Sequence, residues 1–284
     1  MMNAGAELAS CLAGLAVLAV SLWMQDTGWQ GDWTNALPAL AALPLAYWLG
    51  RPWHWRVDHD SGDEAQGDHA QGASPTLPAW RLALLAPGVV LLVIGQAAAI
   101  LLPAAAGWTL LLSAVLARHC RDSHWVRLLP LAVLGFPWLA FQSPWLGWTF
   151  RLTGAMAADV ALTAMQMEVV REGTLLWVRG AQIEVGDACS GLQGLQALLI
   201  GGAVIGYPLL RDRKWYWLQL PILFAAAWLA NTLRIVVTAL CARWLPLEWT
   251  VGDAHLWQGW LLLCIMFLAC QQVFVRLADR APSQ

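Results

Sequence analysis

Apolar residues run along this chain in long blocks separated by short polar segments. A helix needs about 20 apolar residues to cross the hydrocarbon core of a bilayer, within a range of roughly 17 to 25. Eight stretches approach that length, near residues 5–24, 35–50, 80–101, 106–117, 128–148, 190–210, 215–241 and 256–275. The second and fourth are short, and the pair within 80–117 is divided only by Pro103 and Gly107. The pattern predicts an all-α polytopic membrane protein with about eight transmembrane helices.

Composition sharpens that reading. Of the 284 residues, 59% are hydrophobic and 12% charged, where soluble domains carry roughly 25% charged residues. An ordinary soluble enzyme is excluded. The net charge of −2 offers no basic field for nucleic acid. Twenty tryptophans suit membrane–water interfaces, where the ring is half apolar and its N–H stays wet. Residues 1–7 hold no Lys or Arg and no small-residue cleavage site follows, so the first helix is read as retained. The six cysteines show no CxxC pair and no Cys/His metal spacing. Neither a metal nor a cofactor is called for.

The basic residues orient the chain, because short loops rich in Lys and Arg stay on the cytoplasmic side. With the N-terminus inside, the cytoplasmic segments hold Arg51, Arg56, Arg81, Arg118, Arg121, Arg127, Arg211, Arg213, Lys214, Arg276 and Arg280. The outer segments hold Arg151, Arg171, Arg179 and Arg243, and Arg234 falls within the seventh span. Both termini are expected in the cytoplasm. The stretch from Asp58 to Pro78, with Asp60, Asp63, Glu64 and Asp68 and almost no large apolar side chain, reads as a flexible acidic loop. Residues 149–187 form the longest outer segment. Its β-prone runs at 169–178 and 182–185, separated by Arg179-Gly180-Ala181, predict a small extracytoplasmic hairpin before the sixth span.

With that topology, three reactive residues share the outer ends of three consecutive spans. Cys189 stands where the hairpin enters the sixth, Arg234 lies about twenty residues into the seventh, and His255 opens the eighth. A thiol becomes a strong nucleophile as thiolate, and a nearby His or Arg favours that form. The guanidinium can place donors on a developing oxyanion or on a substrate carbonyl. A helix N-terminus beside Cys189 would add its dipole, and Gly191 and Gly194 leave room for a close neighbour. Asn231, three residues before Arg234 on the same helix, is placed to orient it. Each residue also has a plainer reading: Cys189 as a small apolar filler or disulfide partner of Cys241, Arg234 as a snorkelling side chain, and His255 as an interfacial polar residue.

The blocks Ala188-Cys189-Ser190-Gly191, Asn231-Thr232-Leu233-Arg234-Ile235 and His255 to Gly259 resemble, in that order, those of the exosortase/archaeosortase family of integral-membrane cysteine transpeptidases. The resemblance covers roughly residues 80–275. It implies that Cys189, Arg234 and His255 are catalytic, with Ser190, Gly191 and Asn231 in support. It implies partners too: exported proteins with a C-terminal signal of short recognition motif, transmembrane helix and basic tail, often with a Pro-Glu-Pro motif and a link to exopolysaccharide. The implied location is the prokaryotic inner membrane, with the site facing outward. The chain then divides into N-terminal helices at 1–56, the acidic loop at 57–79 and a catalytic core at 80–284. After Cys-Ser-Gly the family commonly continues with Ile and then Ser or Arg, where this chain has Leu192-Gln193-Gly194-Leu195-Gln196, a departure that bears on subtype and recognition sequence. The acceptor nucleophile is not specified. Two other classes fit the hydropathy pattern: a multi-spanning transporter with Arg234 on an anionic solute, and a structural subunit of an envelope polysaccharide assembly system. Neither the pseudo-symmetric halves nor the interrupted helices of many transporters are visible in the sequence.

Overall fold

The computed structural model describes residues 4–24, 37–55, 79–178, 181–185, 191–244 and 252–280. The acidic loop expected at 57–79 lies outside them apart from its last residue. Among the described residues six segments are long and apolar enough to cross a membrane: Gly5–Met24, Leu101–His119, His124–Phe141, Leu192–Leu210, Tyr216–Cys241 and Trp257–Arg280. Two apolar helices, Leu37–Leu49 and Ala83–Ala98, are shorter. The protein is therefore mostly helical and membrane-spanning in character, with six candidate spans by length and composition where eight were expected. Two compact units partition the chain, one of residues 1–34 and 40–138, the other of residues 35–39 and 139–284.

In the first unit, helices α1 (Ala4–Met24), α3 (Ala79–Ala98) and α4 (Leu101–His119) do most of the packing, with α2 (Leu37–Leu49) completing the set. The α3/α4 pair is built on glycine. A methyl group added at Gly95 would come within 2.4 Å of the Ala104 backbone, and one at Gly107 within 2.5 Å of that of Leu92. Gly107, expected as a divider of spans, thus lies inside α4 as a contact between helices, since only hydrogen lets two backbones approach so closely. The break falls earlier, at Ala99, which adopts φ 54°. Pro103 sits in the first turn of α4, where no helical N–H is lost. Leu15, Ala19 and Leu22 of α1 pack with Ala104, Ala105 and Trp108 of α4, and the Trp108 indole N–H donates to the Leu15 carbonyl at 2.8 Å.

The fifth expected span, 128–148, is not one helix. A 3-10 turn at His124–Leu128 leads into α5 (Leu129–Leu134) and α6 (Trp138–Phe141), and α7 (Pro144–Ala164) starts afresh. Pro137 and Pro144 remove backbone donors and disfavour helix before them. Residues 149–164, expected within the outer segment, therefore continue α7. The polar side chains Arg151, Thr153 and Asp159 hide its helical character from a reading by apolar length.

Beyond α7 the expected hairpin is a three-stranded antiparallel meander, β1 (Val169–Glu172), β2 (Leu175–Val178) and β3 (Ala181–Glu184). The added turn falls at Gly173, whose φ of +61° favours glycine. Val169 pairs with Val178, and Leu175 with Glu184. Alternate positions of β2 point inward: Leu176 and Val178 pack with Ala155, Ala158 and Leu162 of α7 and with Val185. The same cluster holds Ile235, Val236 and Ala239 of α9 (Gln219–Trp244). Arg171 of β1 pairs with Asp159 of α7 at 3.5 Å. The sheet is thereby anchored to two helices, and α8 (Leu192–Leu210) and α10 (Gly252–Arg280) complete the second unit.

Candidate functional site

All the residues singled out from the sequence belong to the second unit. Cys189 and Ser190 lie outside the described residues. Gly191, two positions after Cys189, is the N-cap of α8 and adopts φ +72°, ψ 0°. That left-handed conformation costs other residues about 1–2 kcal/mol. Space forbids a side chain as well: a methyl there would meet Asn231 of α9, 2.9 Å from Cγ and 3.1 Å from Oδ1. Chain geometry keeps Cys189 within about 7 Å of Gly191 along the backbone.

Asn231 is 4% exposed. Its opposite edge faces α7, where a methyl on Gly154 would lie 3.4 Å from Asn231 Nδ2 and 3.1 Å from Ile235 Cδ1. The carboxamide is thus clasped between two glycines on separate elements. Neither its nitrogen nor its oxygen has a hydrogen-bond partner among the described residues. Trp228 Nε1 donates to Thr153 Oγ1 at 2.9 Å, linking α9 to α7, and Thr232 Oγ1 donates to the Trp228 carbonyl one turn back on α9 at 3.0 Å.

Arg234 goes elsewhere. Its guanidinium lies over Gly259 of α10, with Cζ 3.4 Å and Nη1 3.6 Å from where a β-carbon would be. Asn231 and Arg234 make no hydrogen bond to each other: Arg234 Nε, like both amide atoms of Asn231, is buried without a partner among the described residues. Position 255 is four residues before Gly259, one turn away on the same face of α10. The side chain of His255 lies outside the described residues. Nearby, Gln258 Nε2 contacts Cys241 Sγ at 3.5 Å, and Cys241 carries a free thiol. Among the described residues no group of three His, Cys, Asp or Glu side chains could hold a metal ion.

α8 and α10 meet at Gly201, where a methyl would be 2.7 Å from the Phe267 ring, and at Gly206, 3.2 Å from Phe274. Seven residues earlier on the same face of α8, Gly194 has nothing within 4 Å among the described residues. α10 matches this: residues 257–265 include no buried residue, Trp257 and Trp260 are exposed, and the first buried one is Met266. Among the described residues the two helices touch at Gly201 and Gly206, and nothing lies against Gly194.

Sequence reasoning missed Gly154 and the burial of Gln196, which is fully enclosed with both amide atoms lacking partners among the described residues. A glycine ten residues beyond the proline that opens α7 carries no signal without knowing that α7 exists. Gln196 showed only as a departure in the run after Cys189.

The family model for transmembrane exosortases matches residues 40–271. The match begins within α2, upstream of the boundary at residue 80 expected for the core. Neither a curated protein nor a solved structure matches the chain.

Proposed function

The chain belongs to the transmembrane exosortase family, and from that premise we propose that it is a membrane-embedded cysteine protease and transpeptidase. Its substrates are exported proteins whose C-terminal sorting signal comprises a recognition motif, a transmembrane helix and a basic tail, similar to the Pro-Glu-Pro type. It works at the outer face of the prokaryotic inner membrane, with both termini in the cytoplasm. Cys189 attacks the carbonyl after the recognition motif and forms a thioester. Arg234 donates to the oxyanion, and His255 takes the thiol proton and returns it to the leaving amine. Water or an amine then releases the acyl group and regenerates the thiol. Ser190, Gly191 and Asn231 shape the ground on which this occurs.

The observation that carries this reading is the meeting of three segments in one place. Gly191, two residues after Cys189, abuts Asn231, Gly259, four residues after His255, lies under Arg234, and Asn231 and Arg234 are three residues apart on α9. An arginine nitrogen buried without a partner in a membrane-type helix is costly unless used, and an oxyanion is a ligand that uses it. That nothing among the described residues lies within 4 Å of a β-carbon at Gly194 supports lateral arrival of a substrate helix from the bilayer.

The test is C-terminal peptide mapping of envelope proteins from the native host, wild type against Cys189→Ala at matched expression. A set of proteins retaining helix and tail only in the variant is the expected result, and those tails define the recognition motif. If no C-terminus changes, the reading fails and the transporter or assembly-subunit reading takes its place.

A further inference from the structure

We propose that the turn between α8 and α9 is a docking site for the headgroup of an anionic phospholipid, held by Arg213 and Lys214 and flanked by Trp215 and Trp217. The inference does not depend on the chemistry proposed for Cys189. Its first support is location. Leu192–Leu210 and Tyr216–Cys241 are each long and apolar enough to cross a membrane, and residues 211–215 alone separate them. So short a link reaches at most about 18 Å when extended, well under the roughly 30 Å hydrocarbon core. Two spans joined this way meet the same surface of the bilayer, and the turn lies among the headgroups.

The second support is charge. Arg211, Arg213 and Lys214 stand against a single carboxylate, Asp212. That carboxylate takes Arg211 Nε at 3.3 Å, and the Arg211 guanidinium also lies over the Tyr207 ring, 5.9 Å from its centre. Lys214 has no carboxylate partner among the described residues, and its Nζ stands 5.0 Å from the centre of the Trp215 ring. Arg118 and Arg171, by contrast, each pair with a carboxylate from another helix or strand. A phosphodiester accepts the planar fork of an arginine and the ammonium of a lysine together. The third support is the frame around these cations. Tyr207 and Tyr216 are buried with their rings edge to face at 6.3 Å. Backbone N–H groups of Arg213, Tyr216 and Leu218 donate to the carbonyls of Leu210, Arg213 and Trp215 at 2.9, 3.1 and 3.0 Å and close the turn. Trp215 and Trp217 are 39% and 48% exposed, with rings of the kind that settle at the membrane–water interface. Leu218, Pro221 and Phe224 follow at three-residue intervals and are also exposed, an apolar track for acyl chains that a free phosphate would not use.

Lys214 is the only lysine in the sequence, so a single side-chain amine reports on the site. The full chain is placed in nanodiscs of phosphatidylcholine alone or of phosphatidylcholine and phosphatidylglycerol in equal parts. Acylation of Lys214 by an N-hydroxysuccinimide ester is then followed by peptide mass spectrometry. Phosphatidylglycerol is expected to slow Lys214 about fivefold or more, the scale set by one basic side chain at an anionic surface. The field of an anionic membrane slows any nearby amine, so two variants decide the matter, each read as the ratio of its own rates in the two membranes. Arg213→Gln should remove most of the slowing. Asp212→Asn, which takes away the competing carboxylate, should increase it. No slowing in the wild type, or one ratio shared by all three proteins, overturns the site. Glycerol phosphate added to the phosphatidylcholine discs should leave Lys214 unchanged, and protection by it equal to that of phosphatidylglycerol overturns the lipid as occupant.

Discussion

The two units treat their buried polar groups in opposite ways. In the first, the Trp108 indole donates to Leu15, Thr109 bonds the Ala105 carbonyl and Ser113 bonds that of Thr109, and the partly exposed Arg118 pairs with Glu7 at 2.7 Å. In the second, Gln196, Gln219, Asn231 and Arg234 all bury side-chain nitrogen or oxygen atoms without partners among the described residues. A buried polar group left unpaired costs about 1–3 kcal/mol, more than a marginally stable protein tolerates repeatedly without return. The first unit uses its polar groups to hold helices together. The second leaves several without a partner among the described residues, and two of these, Asn231 and Arg234, stand beside Gly191 and Gly259.

The sharpest way to break this contrast is Arg234→Lys. Lysine keeps the charge but loses the planar fork of donors, and removing one oxyanion donor lowers turnover by about 100-fold or more. Processing of a reporter with the native sorting signal should fall by that factor with protein levels unchanged. Activity within a few-fold of wild type would remove Arg234 from the chemistry. Gly191→Ala comes next. It adds about 1–2 kcal/mol of backbone strain to a 2.9 Å clash with Asn231, so processing should drop at least tenfold while the first unit keeps its protection in hydrogen exchange.

Smaller effects sharpen the comparison from the side of stability. Gln196→Leu replaces an enclosed amide with an apolar side chain of similar volume. It should raise the thermal midpoint, by the few degrees that about 1 kcal/mol brings; a lower midpoint would mean that the amide is bonded beyond the described residues. Arg118→Ala in the first unit breaks a pair whose side chains are 41% and 35% exposed, and screening by solvent holds the loss to well under about 1 kcal/mol. Its processing rate per folded molecule should match wild type. A large loss would mean that the first unit takes part in the reaction.

Much of this molecule is legible in its sequence, and the reasons are particular. Apolar blocks at 190–210, 215–241 and 256–275 correspond closely to α8, α9 and α10, because lipid and a packed helix bundle both select apolar side chains over the same length. The β-prone run from Val169 to Val185 does form strands, since β-branched residues and short turns are local signals. The segment 128–164 departs from its expected boundaries for the converse reason, although His124–Phe141 is long and apolar enough to span. Its helices are broken by Pro137 and Pro144, and α7 carries Arg151 and Asp159, so apolar length no longer marks the boundaries. Gly107 read as punctuation because a glycine that ends a helix and one that admits a neighbouring helix look alike in sequence.

The sequence alone determined that the chain is of membrane type and which three blocks carry a cysteine, an arginine and a histidine in the order the family resemblance implies, because both are matters of residue type and spacing. Only the tertiary structure decided who touches whom. Asn231 and Arg234 stand three residues apart on one helix, close enough that sequence assigns them to each other. In the folded protein Asn231 is clasped by Gly154 and Gly191, and Arg234 lies on Gly259. Side-chain partners are set by which neighbouring backbones come close, and that depends on glycines far away in sequence whose missing side chains acquire meaning only when helices pack.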